Sequence, residues 1–172
     1  MRNLRISALF ALVIAGLTVA AYPQDNHFSD PNSGYAFDIP DSKWKMTVKP
    51  TATSQNVEYV YIDRNDGHLE IRKLTVGKEA LLPDIIRTEE QKLQFLHGFV
   101  AGKTETFRGR MPGSIFNFEF VRAGRPMSGR FYFLRADPNT VYVLRFTGFT
   151  DKLRSIENQT DSISRTFQLN KG

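Results

Sequence analysis

Three stretches in the second half of the chain alternate between apolar and polar residues with a period of two, which is typical of β-strands whose two faces differ. The alternation predicts strands over 114–121, 128–135 and 141–147. Turn-forming glycine, proline, aspartate and asparagine residues separate them, at 122–126 and 136–140. The three strands therefore form an antiparallel meander around which the rest of the chain is organised.

The register of these strands decides which side chains share a face, because a slip of one residue exchanges the two faces. The register that separates aromatic from charged residues places Phe131 and Phe133 beside Phe118 and Phe116. It predicts an apolar face made of Phe116, Phe118, Phe120, Phe131, Phe133, Leu144 and Phe146. It also predicts a polar face made of Asn117, Glu119, Arg130, Tyr132 and Arg145. In this register Glu119 lies across from Arg130, and Tyr132 lies across from Arg145.

The remaining pattern adds further strands and two helices. Alternation predicts strands over 27–30, 35–39, 44–48 and 99–110, and a hairpin of 57–62 and 69–76 around a turn at 63–67. Apolar residues recur at helical spacing over 81–97. A second helix begins near Thr150, with an apolar stripe of Leu153, Ile156, Thr160, Ile163 and Phe167. The order predicts an α+β fold, an antiparallel β-sheet flanked by helices.

The first 21 residues have the pattern of a signal peptide. Arg2 and Arg5 precede an apolar run, and the small residues 18–21 follow it as a cleavage site. The alternative is an uncleaved anchor, but the apolar run is shorter than the ~20 residues that a spanning helix needs. We therefore expect an exported protein, periplasmic or extracellular and bacterial in type, with residues 22–172 as a single domain.

Composition and charge exclude several classes of function. The chain has no cysteine, so it forms no disulfides and carries neither a thiol nucleophile nor a lipoprotein anchor. Without Arg2 and Arg5, 21 Lys+Arg stand against 18 Asp+Glu, and a net charge of +3 is too small to indicate nucleic acid as a partner.

No motif for catalysis, metals or cofactors is present in the sequence. The three histidines, His27, His68 and His97, are too far apart for a local metal motif. Asp63 and Asp66 lie in a turn that lacks the bidentate glutamate of a calcium loop. No nucleophile elbow or phosphate-binding glycine loop occurs. We therefore expect no enzyme activity, no cofactor and no metal.

Two segments resemble a known group. The run 34–40, Gly-Tyr-Ala-Phe-Asp-Ile-Pro, with Trp44 shortly after it, is similar to the opening of the PsbP-like superfamily. The strand 142–148 and the helix end 164–167 resemble the closing elements of the same group, which includes photosystem II extrinsic proteins, a nuclear Ran-binding relative and bacterial exported proteins of the DcrB type. The resemblance implies an α/β/α sandwich and a role in binding or assembly.

The polar face of the meander has two interpretations. If a helix covers it, its charged groups must pair with one another, because unpaired buried charge is costly. If the cover is partial, Arg130 and Arg145 beside Tyr132 would suit a carboxylate or a phosphate. Two functions follow from these readings: an exported, non-catalytic protein that binds an envelope or periplasmic protein, or a carrier of a small anionic ligand on the Arg130/Tyr132/Arg145 face. A hydrolase of unrecognised type is a third, weaker hypothesis.

Overall fold

The computed structural model describes residues 26–170, so the predicted leader at 1–21 lies outside the described residues. The elements are β1 (His27–Ser29), β2 (Tyr35–Asp38), β3 (Trp44–Val48), β4 (Val57–Tyr61), β5 (Asp63–Thr75), α1 (Leu82–Leu93), β6 (Val100–Arg108), β7 (Pro112–Arg122), β8 (Arg125–Asp137), β9 (Thr140–Phe149), α2 (Thr150–Ser155), α3 (Glu157–Thr166) and β10 (Gln168–Leu169). The predicted α+β class is confirmed.

The strands form two antiparallel sheets. The large sheet has seven strands in the order β3-β4-β5-β9-β8-β7-β6, and the small sheet has three in the order β1-β2-β10. The predicted meander β7-β8-β9 lies at the middle and one side of the large sheet. Because β9 also pairs with β5, it is a central strand, and neither of its edges is free.

Both faces of the large sheet are covered, which gives the predicted sandwich. On one face α1 packs over a core of Phe116, Phe118, Phe120, Met127, Phe131, Phe133, Val141 and Val143. On the other face α2, α3 and the small sheet cover a second core, in which Trp44 is 4% exposed, as a core residue should be. The small sheet is separate from the large one, a division that the sequence pattern does not predict.

The predicted face of β7 and β8 is correct, but their register is displaced by two residues. Phe131 pairs with Phe116, and Phe133 pairs with Ser114. The displacement arises because the turn is shorter than predicted, with Arg122 already paired to Arg125. A shift of two leaves every side chain on its predicted face and changes only its neighbours.

The predicted face of β9 is wrong. Leu144 pairs with Tyr132 and Phe146 with Arg130, whereas Arg145 pairs with Phe131. Arg145 therefore lies on the α1 face, and Leu144 and Phe146 lie on the α3 face. The physical reason is that both faces of this central strand are buried, so the strand is apolar on both sides and its alternation does not identify the core face.

The predicted turn at 63–67 is also wrong. The chain reverses at Ile62, which has a φ of +61°, and β5 begins at Asp63. Gly67 serves close packing: a Cβ there would lie 2.8 Å from Ile156 Cδ1 and 3.1 Å from Tyr61 Cβ. The Asp-Gly step that indicates a hairpin turn is therefore a place where the strand passes under the α2–α3 junction.

The predicted helices are present with different bounds. The first is shorter than predicted and ends at Leu93. The second is interrupted at Ile156, where φ is −111° and ψ is 16°. Its predicted apolar stripe is confirmed, since every member is buried: Leu153, Ile156, Thr160, Ile163 and Phe167.

Both edges of the large sheet are irregular. In β3 the pairing with β4 shifts between Met46 and Val48, and Lys45 is exposed beside the shift. In β6 the pairing with β7 shifts between Ala101 and Thr104, and the exposed Lys103 lies within that interval. Each outer strand therefore carries a bulge and a lysine.

Candidate functional site

The structure brings together three of the five residues of the predicted polar face. Asn117 and Arg130 are direct cross-strand partners, and Tyr132 follows two residues further along β8. Glu119 lies on the same side but pairs with Ser128, not Arg130, and is exposed. Arg145 lies on the opposite face of the sheet. A single site that uses Arg130, Tyr132 and Arg145 together is therefore not formed.

Arg130 is the centre of a polar network beneath α3. Its Nε donates to Tyr132 Oη at 2.7 Å, its Nη1 to Asn117 Oδ1 at 2.9 Å and its Nη2 to Asp161 Oδ1 at 3.1 Å. Nη1 is also 3.3 Å from Glu157 Oε1. The Tyr132 hydroxyl donates to Asp161 Oδ1 as well. Most guanidinium donors are thus already taken by protein oxygens.

Burial and charge act in opposite directions on this network. Burial alone would lower the pKa of Arg130, but Tyr132 and Asp161 outweigh it and raise that pKa. Burial, and then the hydrogen bond to Asp161, raise the pKa of Tyr132. Both groups therefore keep their usual protonation states at neutral pH. The arrangement is a salt-bridged sheet face closed by a helix, the first of the two interpretations above.

The acidic half of the network comes from α3. Asp161 and Glu157 are four residues apart, so they project from the same side of the helix. Their spacing is visible in the sequence, but only the packing of α3 on β8 shows that they meet Arg130. Alternation along the strands therefore predicts Glu119 as the partner of Arg130, whereas its partners in the structure include Glu157 and Asp161.

A groove opens beside this network, between β6, β7 and α2. Its volume is ≈ 410 Å³. Charged residues of both signs line it: Glu105, Glu119, Arg130, Arg154 and Glu157. The mixed charge favours no particular class of ligand.

Arg145 occupies a different environment on the α1 face. Its Nη1 is 3.3 Å from Glu70 Oε2, and its Cζ lies 4.7 Å from the centre of the Phe131 ring. Among residues 26–170, its buried Nε has no hydrogen-bond partner. Burial lowers the pKa of Arg145, and the nearby Glu70 only partly offsets it. Arg145 is therefore a desolvated cation with incomplete compensation.

Next to it lies a second ion-pair cluster. His68 Nε2 is 2.8 Å from Glu58 Oε2, and Arg64 Nη1 is 3.3 Å from the same oxygen. Burial alone would raise the pKa of Glu58, but the hydrogen bond and charge of His68, followed by Arg64, lower it overall. The Glu58 carboxylate is thus held ionised by two basic neighbours.

Replacing Glu58 with glutamine is expected to flatten the loss of stability on acidification. A carboxylate whose pKa is lowered by folding contributes stability above its unfolded-state pKa and loses that contribution as the pH falls through its folded-state pKa. The free energy of unfolding from urea titrations, between neutral pH and below the usual glutamate range, should therefore vary less with pH in the variant. Glu79→Gln, at an exposed position, is the matched control. Parallel profiles for Glu58→Gln and the wild type would contradict the assignment.

One large apolar side chain is almost fully in solvent. Phe95 is 92% exposed, in the turn of residues 94–99 that connects α1 with β6 and that we call the α1–β6 turn. The turn is fixed to the sheet, because the Val121 amide donates to His97 O at 2.8 Å. The apolar stripe that predicts α1 does not include Phe95, and that mismatch is the sequence signal for its exposure. The members of the stripe are Leu82, Ile85, Ile86, Leu93 and Leu96.

Residues 26–170 contain neither a cluster of metal ligands nor a membrane-spanning helix. Within that range no three His, Asp or Glu side chains lie close enough together to hold a metal ion. No helix of the same range has the length and apolar character needed to cross a membrane.

Comparison with solved structures identifies the fold. Cyanobacterial PsbP (CyanoP) from Synechocystis sp. PCC 6803 is similar with a TM-score of 0.60 and 13% identity, over 84% of this chain and 91% of that one. LpqN of Mycobacterium tuberculosis, described as involved in cell envelope biogenesis, is similar with a TM-score of 0.56 and 16% identity, over 83% of this chain and 87% of that one. The chain therefore has a PsbP-like fold, as the sequence resemblance implies, and at these identities the likeness is one of fold.

Comparison by sequence does not identify a family for this chain. No protein-family model matches the chain. The β subunit of ATP-dependent 6-phosphofructokinase from Kluyveromyces lactis is 31% identical over 84 residues, which are 46% of this chain and 9% of that enzyme. Because the chain spans so small a share of the enzyme, this match gives no argument for its activity here.

Proposed function

We propose that this protein is a non-catalytic binding protein of the cell envelope, and that it binds another protein through the α1–β6 turn. The observation that carries the proposal is the 92% exposure of Phe95 on a turn anchored to the sheet. An aromatic side chain in solvent forgoes the ~2 kcal/mol or more that its burial would contribute. Aromatic residues are also enriched at protein–protein interfaces.

The surroundings of Phe95 favour an acidic, partly apolar partner surface. Arg122, which forms no ion pair within residues 26–170, is next to Val121, whose amide donates to His97 O in the turn. Lys92 precedes Phe95 in the chain but is already paired with Glu89. Opposite charges across an interface steer association and fix its register. The same basic surroundings disfavour a basic partner.

Export and location rest on two supports. The first 21 residues have the pattern of a signal peptide. LpqN, which shares the fold, is described as involved in cell envelope biogenesis. Both point to the envelope as the compartment in which to seek the partner.

Placing a photo-crosslinking phenylalanine analogue at position 95 is expected to yield a discrete crosslink to one envelope protein in the source organism. The same analogue at Thr47, an exposed position on β3, is the matched control and should yield none. The crosslinked protein is identified by mass spectrometry. Its purified form should then bind the wild type and Thr47→Ala but lose at least about tenfold in affinity for Phe95→Ala, as expected for truncation of an interface anchor.

Phe95→Ala should leave the free energy of unfolding within about 0.5 kcal/mol of the wild type, because the side chain packs against little. Equal crosslinking at positions 47 and 95, or equal affinity of the two alanine variants, would overturn the proposal.

A further inference from the structure

A small pocket lies between the carboxyl end of α1 and the strands β5, β7, β8 and β9, and we call it the α1 pocket. Its volume is ≈ 220 Å³. Three phenylalanine and three arginine side chains are among the residues that line it: Phe118, Phe120, Phe131, Arg64, Arg122 and Arg145. Phe95 does not line it.

The first imbalance of charge in the α1 pocket concerns Glu70. Its carboxylate is 2.6 Å from Arg72 Nη2 and 3.3 Å from Arg145 Nη1. The Glu70 carboxylate therefore pairs with two cations, and its shorter contact is with Arg72. Arg145 is the more buried of the two, with 19% of its side chain exposed against 49% for Arg72. Arg145, the cation with the higher desolvation cost, therefore has the longer contact with Glu70.

The second imbalance concerns the rim. The Glu58 carboxylate serves both Arg64 and His68. Arg122 forms no ion pair within residues 26–170 and lies 5.8 Å from the Phe120 ring. Glu89, whose charge also acts on Arg145, is paired with Lys92 at 2.5 Å. The charged lining of the pocket is therefore one carboxylate, Glu70, against three guanidinium groups and an imidazole, with Glu58 and Arg72 pairing to them from outside the lining.

We propose that the α1 pocket binds a small carboxylic acid anion that carries an apolar group. Its carboxylate lies between Arg122 and Arg145, and its apolar group packs against the phenylalanine side chains. A planar guanidinium donates two parallel hydrogen bonds to a carboxylate, which suits arginine to this task. The small volume favours a small acid over a larger ligand. The pocket adjoins the protein-binding surface, because Leu96 and Arg122 line it, but Phe95 itself does not.

The test is isothermal titration of the purified protein with 3-phenylpropanoate. The uncharged 3-phenylpropanamide lacks the anionic group, and acetate lacks the apolar group. We expect 3-phenylpropanoate to bind and each of the two controls to bind at least about tenfold more weakly, because a charge-assisted hydrogen bond or a buried ring each accounts for a factor of that order.

Arg122→Gln should weaken the binding of 3-phenylpropanoate about tenfold or more, as loss of a charge-assisted hydrogen bond predicts. Arg122 is exposed, so the variant should fold normally. Arg110→Gln makes the same charge change at an exposed residue that does not line the pocket, and it should leave the affinity unchanged.

Three results would each overturn the proposal: no heat of binding with 3-phenylpropanoate, equal binding of the amide, or an equal effect of the Arg122 and Arg110 variants. Because the titration uses only the purified protein and a small acid, its failure leaves the protein-binding proposal at Phe95 standing.

Discussion

Replacing Gly129 with alanine is expected to destabilise the protein by about 3 kcal/mol, the upper part of the range for overpacked cores. A Cβ at this position would lie 2.1 Å from Phe118 Cζ and 2.2 Å from its Cε1. Phe118 is the direct cross-strand partner of Gly129 and is 2% exposed. Its ring also meets the Phe131 ring edge-to-face at 4.9 Å, so it cannot move aside without disturbing its neighbour.

Urea unfolding measures the loss, and a second substitution tests its cause. Phe118→Leu removes the atoms that the new methyl group would meet, so Gly129→Ala should cost much less in that background than in the wild type. Gly77→Ala is the control, since a Cβ there meets nothing within 4 Å. The packing explanation fails if Gly129→Ala and Gly77→Ala have similar effects, or if Phe118→Leu gives no relief.

Arg130→Met and Arg145→Met are expected to differ strongly in stability, although both remove an arginine from the same sheet. Arg130→Met should cost about 2 kcal/mol, because it removes the donor to Asn117 Oδ1 and the closest cation to Asp161. The value is below that of a fully buried pair, since 28% of the Asp161 side chain is exposed.

Arg145→Met should change the free energy of unfolding by less than about 1 kcal/mol, because Glu70 keeps its closer contact with Arg72 and a desolvated cation is replaced by an apolar chain. Urea titrations at neutral pH compare the two variants with Arg110→Gln as a surface control. Equal losses for the two methionine variants would show that Arg145 has the same structural role as Arg130.

The sequence pattern is sufficient for the presence of the three meander strands and for the faces of β7 and β8, because β7 and β8 each have one face rich in phenylalanine and one that is more polar. It is insufficient for β9, where residues 141–144 are all buried. When both faces of a strand are buried, both are apolar, and the sequence does not indicate which face lies towards which layer. Arg145, the one charged residue of that strand, was therefore assigned to the wrong face.

The turn before β8 shows a second limit of local reasoning. Pro126 indicated a loop, since proline cannot donate to a central ladder. In the structure it lies opposite Val121, while pairing of β8 with β9 begins only at Met127. Proline is thus placed where β8 has no neighbour on its second side, and the strand starts earlier than a proline rule predicts. This earlier start accounts for the two-residue displacement between Glu119 and Arg130.

The site residues that the sequence missed depend on contacts between distant elements. Asp161 reaches Arg130 only because α3 packs on β8. The α1 pocket combines residues from four separate strands with the end of α1. The spacing of residues within one element carries no information on contacts with another element. The exposure of Phe95, by contrast, is indicated by its position outside the α1 stripe.

The bulge and lysine on each outer strand of the large sheet limit how copies of this protein can meet. A regular outer strand is a template onto which another chain can add its own backbone, and repeated addition leads to fibrils. On β3 and β6 the row of backbone donors and acceptors is broken, and an incoming strand would bring its own lysine against a lysine. Neither outer strand of the large sheet, β3 or β6, therefore offers a regular edge to another strand. The edges of the large sheet therefore disfavour strand addition between copies of this protein, which leaves recognition to side-chain surfaces.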